Sequence, residues 1–142
     1  MLNKPIVLTI IISVVFFVTA IVSSAINNGL YQYILSLIII FCFSLYLGYS
    51  QSKTLKEEIS KEDKIKISLY FFIFWFLFTF SIVILMLMNT TVKDAPLFYF
   101  SKKGIAILTS VFFMNFFLFS IYSSAIYLAL SLGCRLGLHR DK

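Results

Sequence analysis

The chain has 142 residues, of which 61% are hydrophobic and only 13% are charged. A soluble domain is about half apolar and about a quarter charged, and a domain of about 150 residues buries only roughly 70% of the surface that its unfolded chain exposes. The composition therefore excludes a soluble globular domain and predicts that lipid surrounds most of the surface.

Three long segments contain no acidic or basic residue: residues 5–52, 67–92 and 104–134. About 20 apolar residues cross the hydrocarbon core as a helix. The first segment is long enough for two crossings and carries Asn27-Asn28-Gly29 near its middle, which is a strong turn signal. We therefore predict an all-α, polytopic membrane protein, a four-transmembrane-helix bundle forming one domain, with spans at about 5–26, 30–50, 67–88 and 104–133.

The first span is expected to be a membrane helix rather than a cleaved signal peptide. Lys4 and the small residues Ser23-Ser24-Ala25 do fit a signal peptide. The apolar stretch between them is longer than the roughly 7–15 residues of a signal-peptide core, however.

The basic residues predict the orientation of the chain. Nine of the 12 lie on one side of the predicted membrane: Lys4, Lys53, Lys56, Lys61, Lys64, Lys66, Arg135, Arg140 and Lys142. The other three are Lys93, Lys102 and Lys103. Because basic residues accumulate on the cytoplasmic side, both termini and the loop at 51–66 are predicted to be cytoplasmic. The net charge of +6 then reflects topology and attraction to lipid rather than nucleic-acid binding.

The predicted cytoplasmic loop, residues 51–66, interleaves lysines with acidic residues. Ser60 followed by Asp63 resembles a capping box, which predicts that the third helix starts in water at Ser60. Alternatively, the second helix continues and Glu57 pairs with Lys61 four residues later. A solvated connector and a docking surface for a cytoplasmic partner both fit this charge pattern.

The predicted outer loop, residues 89–103, contains an aromatic run next to two lysines. Such a segment can lie in the outer headgroup layer, with the lysine heads at the phosphates. We therefore predict an outer-surface patch that consists of Phe98, Tyr99, Phe100, Lys102 and Lys103.

Small residues recur at steps of four in two of the spans. Helices in lipid associate through close packing, so such residues mark contact faces. The second span provides Ser44, Gly48 and Ser52, and the fourth provides Ala125, Ala129 and Gly133. We predict that the second and fourth helices approach closely in their cytoplasmic halves. The many phenylalanines follow no single stripe, so some are expected to face lipid and others the bundle.

Asn115 is the most polar residue deep in a span. Its amide suits a polar intramembrane site, but a structural hydrogen bond to Ser13, Thr19, Ser44 or Thr79 is the favoured interpretation. No ionisable group lies inside the spans, whereas ion and proton transport usually needs one.

The sequence shows no motif for catalysis, for a cofactor or for a metal. His139 has no second histidine or neighbouring cysteine, and Cys42 and Cys134 form no Cys-x-x-Cys pair. We expect two reduced thiols and no enzyme. The lipid bilayer is the expected partner, and another membrane protein or a second copy of the chain is the kind of partner that such a protein contacts.

The chain resembles one known family over most of the length of the chain. The residues are Gly48 followed by Lys53, Glu58 and Glu62-Asp63-Lys64, then Trp75, and finally Tyr127, Gly133 and Arg135. In this spacing, and in having four spans, the chain resembles the AciT-like small inner-membrane proteins of Gram-negative bacteria. The resemblance implies a non-enzymatic role in envelope integrity or drug tolerance, without catalytic residues.

Two other functions remain open at this point. Small polytopic proteins with short loops include immunity proteins against membrane-acting, pore-forming bacterial toxins. A transporter or flippase accessory subunit is the third hypothesis, and it would need a polar cavity that the sequence places only near Asn115.

Overall fold

The computed structural model describes residues 4–23, 29–55, 58–90 and 102–139 of the chain. These residues form four helices: α1 (Lys4–Ser23), α2 (Gly29–Leu55), α3 (Lys61–Thr90) and α4 (Lys102–His139). Each helix is long and apolar enough to cross a membrane. The prediction of an all-α membrane protein with four spanning helices is confirmed.

The helices extend beyond the predicted spans, mainly at the predicted cytoplasmic side. α2 continues to Leu55, α3 begins at Lys61 and α4 continues to His139. Most of the predicted loop at 51–66 is therefore helical. The spans were placed where charges are absent, but a helix continues into water at little cost once it has been nucleated. The Asn27-Asn28 turn lies outside the described residues, and Gly29 is the first residue of α2.

Ser60 is the N-cap of α3. The backbone N–H of Asp63 donates to its Oγ at 3.0 Å, which satisfies one of the four free N–H groups at the helix start. The predicted start at Ser60 is thus confirmed. Because residues 58–60 are not helical, α2 does not continue to Lys61, and the alternative is wrong.

The contacts divide the chain into two compact units. The first consists of Met1–Phe71 and Tyr122–Lys142, and so contains α1, α2, the start of α3 and the end of α4. At its centre, the Phe16 ring packs against the rings of Phe71 and Tyr122. Both pairs are T-shaped, with ring centroids 5.5 Å and 5.1 Å apart. Its other fully buried apolar side chains include Ile12, Ile40, Ile67, Ile126 and Leu130.

The second unit, Phe72–Ile121, is held together by phenylalanines of α3 and α4. Phe76 packs edge-to-face against Phe112 with centroids 5.2 Å apart, and Phe72 packs in the same way against Phe116 at 5.5 Å. In contrast, Phe74, Phe113 and Phe117 are exposed. Packing across the helices and exposure are not exclusive, because Phe112 and Phe116 contact rings of α3 and are still 40% and 44% exposed.

Candidate functional site

The close contact between α2 and α4 involves glycines on both helices. A Cβ atom placed on Gly48 would lie 2.6 Å from the carbonyl oxygen of Leu130, and one on Gly137 would lie 2.8 Å from that of Tyr49. On Gly133 it would lie 2.8 Å from the backbone nitrogen of Tyr49. Because these atoms belong to the backbone, they cannot move aside as a flexible side chain does. The two helices therefore touch backbone to backbone.

The other predicted packing residues lie along the same helices. Ser44, Ser52 and Ala129 are fully or almost fully buried, and Ala125 is half-buried. Within the described part of the chain, the Oγ atoms of Ser44 and Ser52 have no hydrogen-bond partner. Their small size, rather than their polarity, is what this helix contact uses.

Polar contacts from α4 also join helices of the first unit. Ser68 of α3 donates to the carbonyl of Ser123 on α4 at 2.6 Å, and Ser123 donates to the carbonyl of Ser68 at 2.9 Å. The Tyr122 hydroxyl donates to the carbonyl of Tyr33 at 3.3 Å, which links α4 to α2. These three hydroxyl groups thus form hydrogen bonds between helices.

Asn115 is buried within the second unit. Within the described residues of that unit, no hydrogen bond joins it to Thr79, one of its predicted partners. Thr19 and Thr79 donate instead to carbonyls of their own helices, Val15 and Trp75, each at 2.7 Å. A serine or threonine hydroxyl readily bonds the carbonyl four residues earlier, and this local bond competes with one across helices.

The predicted outer-surface patch lies outside the described side chains. Phe98, Tyr99 and Phe100 lie outside the described residues, as do the side chains of Lys102 and Lys103. Cys42 is exposed and Cys134 is buried, and both are free thiols. Among the described residues, no group of three or more His, Cys, Asp or Glu side chains is placed to hold a metal ion.

The structure reveals a buried lysine that the sequence analysis assigned to a solvated loop. The Lys64 side chain is only 4% exposed, and its Nζ lies 2.5 Å from Oε1 of Glu58, whose side chain is 48% exposed. Lys66 forms the contrasting pair with Glu62, at 2.6 Å on the surface. A signal was available, because Lys64, Ile67, Ser68 and Phe71 recur at the spacing of one helix face.

A cleft of about 360 Å³ lies where α1 and α3 begin and α2 ends. One part of its lining is polar and comes from Lys4, Gln51, Glu58, Ser60 and Asp63. The other part is apolar and comes mainly from α1, through Pro5, Val7, Leu8 and Ile11. All these residues belong to the first unit. By the predicted topology, the cleft opens at the cytoplasmic surface of the membrane.

The fold and these contacts define a small multi-pass integral membrane protein. Comparison with protein-family models, with curated proteins and with solved structures finds no match to this chain.

Proposed function

We propose that this chain is a non-enzymatic protein of the bacterial inner membrane that supports the cell envelope or a larger membrane complex. The observation that carries the proposal is the use of the polar groups within the helices. In the first unit, Ser68, Ser123 and Tyr122 bond helix to helix, and Thr9 and Thr19 bond the backbone of their own helix. The apolar faces that remain exposed suit contact with lipid or with other membrane helices.

The resemblance to the AciT-like proteins supports the same role, on the residues from Gly48 to Lys64 and from Tyr127 to Arg135. The absence of charged residues from the spans supports it further, since ion transport usually needs a charge within the membrane.

Deletion of the gene in its source organism tests this proposal. We expect increased sensitivity to detergents and to large antibiotics. Expression of the wild-type chain should restore resistance, and so should expression of the Gly29→Ala variant, which serves as a control for expression. A deletion strain with unchanged envelope permeability and no altered membrane complex would contradict the proposal.

Two other outcomes would favour the alternatives. Sensitivity confined to one membrane-acting toxin would indicate an immunity protein. A defect confined to the movement of one solute or lipid would indicate a transporter or flippase accessory subunit. Affinity purification of the tagged chain from native membranes separates these outcomes from a structural role by identifying the partner.

A further inference from the structure

The geometry points to the cleft at the starts of α1 and α3 as a binding site for a phospholipid with a primary ammonium headgroup, of the phosphatidylethanolamine type. This inference goes beyond the envelope role, and it does not depend on that role.

The charges in the cleft favour a zwitterionic ligand. Among the described residues, its lining contains one ammonium group, from Lys4, and two carboxylates, from Glu58 and Asp63. The Glu58 carboxylate is already bound by Lys64 through Oε1. Within the described part of the chain, neither Lys4 nor Asp63 forms an ion pair. Among its described residues, the cleft therefore offers one cation and one carboxylate without an ion pair, which together match an ammonium and a phosphate group on the same molecule.

The positions of these groups assign each end of the headgroup. Lys4 lies on α1, whereas Asp63 lies on α3 and Glu58 precedes it, so the cation and the carboxylates come from different segments of the chain. The lipid phosphate is thus placed at Lys4, and its ammonium at Asp63 and Glu58.

A primary ammonium fits better than a quaternary one. It donates hydrogen bonds to carboxylates, whereas choline has no N–H and is recognised mainly by aromatic faces. None of the described residues that line the cleft is aromatic. An anionic lipid without an ammonium group would bring its phosphate close to two carboxylates and gain nothing from them.

The apolar wall of the cleft continues along α1 as an exposed stripe. Val7 and Ile11 line the cleft, and Val14 and Val18 follow at helical spacing with 56% and 53% of their surfaces exposed. At 1.5 Å per residue, the stripe from residue 7 to residue 18 is about 17 Å long. One leaflet of the hydrocarbon core is about 15 Å thick, so the stripe matches an acyl chain. This continuity favours a membrane lipid over a soluble phosphate compound.

Native mass spectrometry of the detergent-solubilised full chain tests the assignment. The protein is titrated with an equimolar mixture of dioleoyl phosphatidylethanolamine, phosphatidylglycerol and phosphatidylcholine. We expect the ethanolamine lipid to dominate the bound population. Asp63→Asn should weaken its binding about tenfold, the usual scale for losing one hydrogen bond between charged groups.

Glu62→Gln is the matched control, because this carboxylate lies on the same turn of α3 but does not line the cleft. Lys4→Gln, with Lys66→Gln as its control, tests the binding of the lipid phosphate. It replaces Asp63→Asn as the test if that variant does not fold. Equal binding of the three lipids, a preference for phosphatidylglycerol, or equal losses in Asp63→Asn and Glu62→Gln would each overturn the inference. Soluble glycerophosphoethanolamine should compete only weakly with the lipid for the cleft. Competition as strong as that of the whole lipid would show that the apolar stripe of α1 does not bind the acyl chain.

Discussion

Gly48 illustrates how one hydrogen atom in place of a side chain sets the distance between two helices. The carbonyl oxygen of Leu130 occupies the space that a methyl group at position 48 would need. In lipid, where the surroundings are as apolar as the helix surface, such close packing is a main source of helix association.

Gly48→Ala should therefore destabilise the protein, although alanine favours helices. Overpacking against backbone atoms costs about 1–3 kcal/mol. Unfolding by sodium dodecyl sulfate, followed by circular dichroism, measures the change. Gly29→Ala is the control, because a Cβ atom there would meet no atom within 4 Å. Equal unfolding midpoints for the two variants would show that α2 and α4 can separate at no cost.

Glu58 and Glu62 each pair with a lysine, but neutralising them should have different effects on stability. Glu58→Gln leaves the charge of Lys64 buried without its counterion, while Glu62→Gln leaves Lys66 in water. Because Glu58 itself is half exposed, we expect a loss of about 1–2 kcal/mol for Glu58→Gln, below the range for fully buried pairs. Glu62→Gln should cause no measurable change. The same unfolding measurement compares them, and a larger loss in Glu62→Gln would contradict this view of Lys64.

At the scale of helices, the Ser68–Ser123 pair is a reciprocal contact between α3 and α4. Each hydroxyl donates to the other residue's carbonyl, so the two bonds use different atoms. Because the two residues are in direct contact, their contributions are expected to be coupled.

Ser68→Ala and Ser123→Ala should each cost about 0.6 kcal/mol, the average for interhelical bonds in membranes, and the double variant should cost more than either single one. Ser81→Ala is the control, since Ser81 donates to Leu77 within its own helix. Unfolding free energies of the four variants form the test. A double variant no weaker than either single one would show that the two bonds act as one unit.

The phenylalanine contact of the second unit allows a comparison between adjacent residues. Phe112 packs edge-to-face against Phe76 and Phe80, at 5.2 Å and 5.8 Å, whereas Phe113 contacts only Phe112 among the described ring pairs. Aromatic pairs contribute about 0.5–1.5 kcal/mol each. Phe112→Leu should therefore lower the unfolding free energy by about 1–3 kcal/mol, and Phe113→Leu by clearly less. Equal losses in the two variants would show that the effect comes from helix propensity rather than from the ring contacts.

For the whole molecule, the main prediction concerns orientation. The nine-to-three division of the basic residues predicts that both termini are cytoplasmic. Fusion of a reporter after Lys142 should give activity with a cytoplasmic reporter and none with a periplasmic one. Fusion within residues 91–101 should give the opposite pattern. A reversed result would also move the cleft near Lys4 to the outer surface.

The number of crossings could be read from the sequence because it depends on a one-dimensional property. A segment of about 20 residues without charge enters the hydrocarbon core whatever its neighbours are. Ser60 as the cap of α3 was readable for a similar reason, since capping is a local interaction between residues three apart.

The faces of the helices could not be read in this way. In water, a buried face differs from an exposed one in polarity, but in lipid both are apolar. Nothing in the residue types distinguishes Phe76, which packs against α4, from Phe74, which is exposed. For the same reason, the small residues predicted a contact between α2 and α4 but not which backbone atoms would meet.

The cleft and the burial of Lys64 were decided only by the tertiary structure. The sequence showed an ordinary charged segment, and its charges alone predicted solvation. The arrangement of α1, α2 and α3 brings Lys4 into the same cleft as Asp63 and encloses Lys64 beside Glu58. These residues are up to 60 positions apart in the sequence. Only the packing of the helices determines which of their charges remain in water and which are paired out of it.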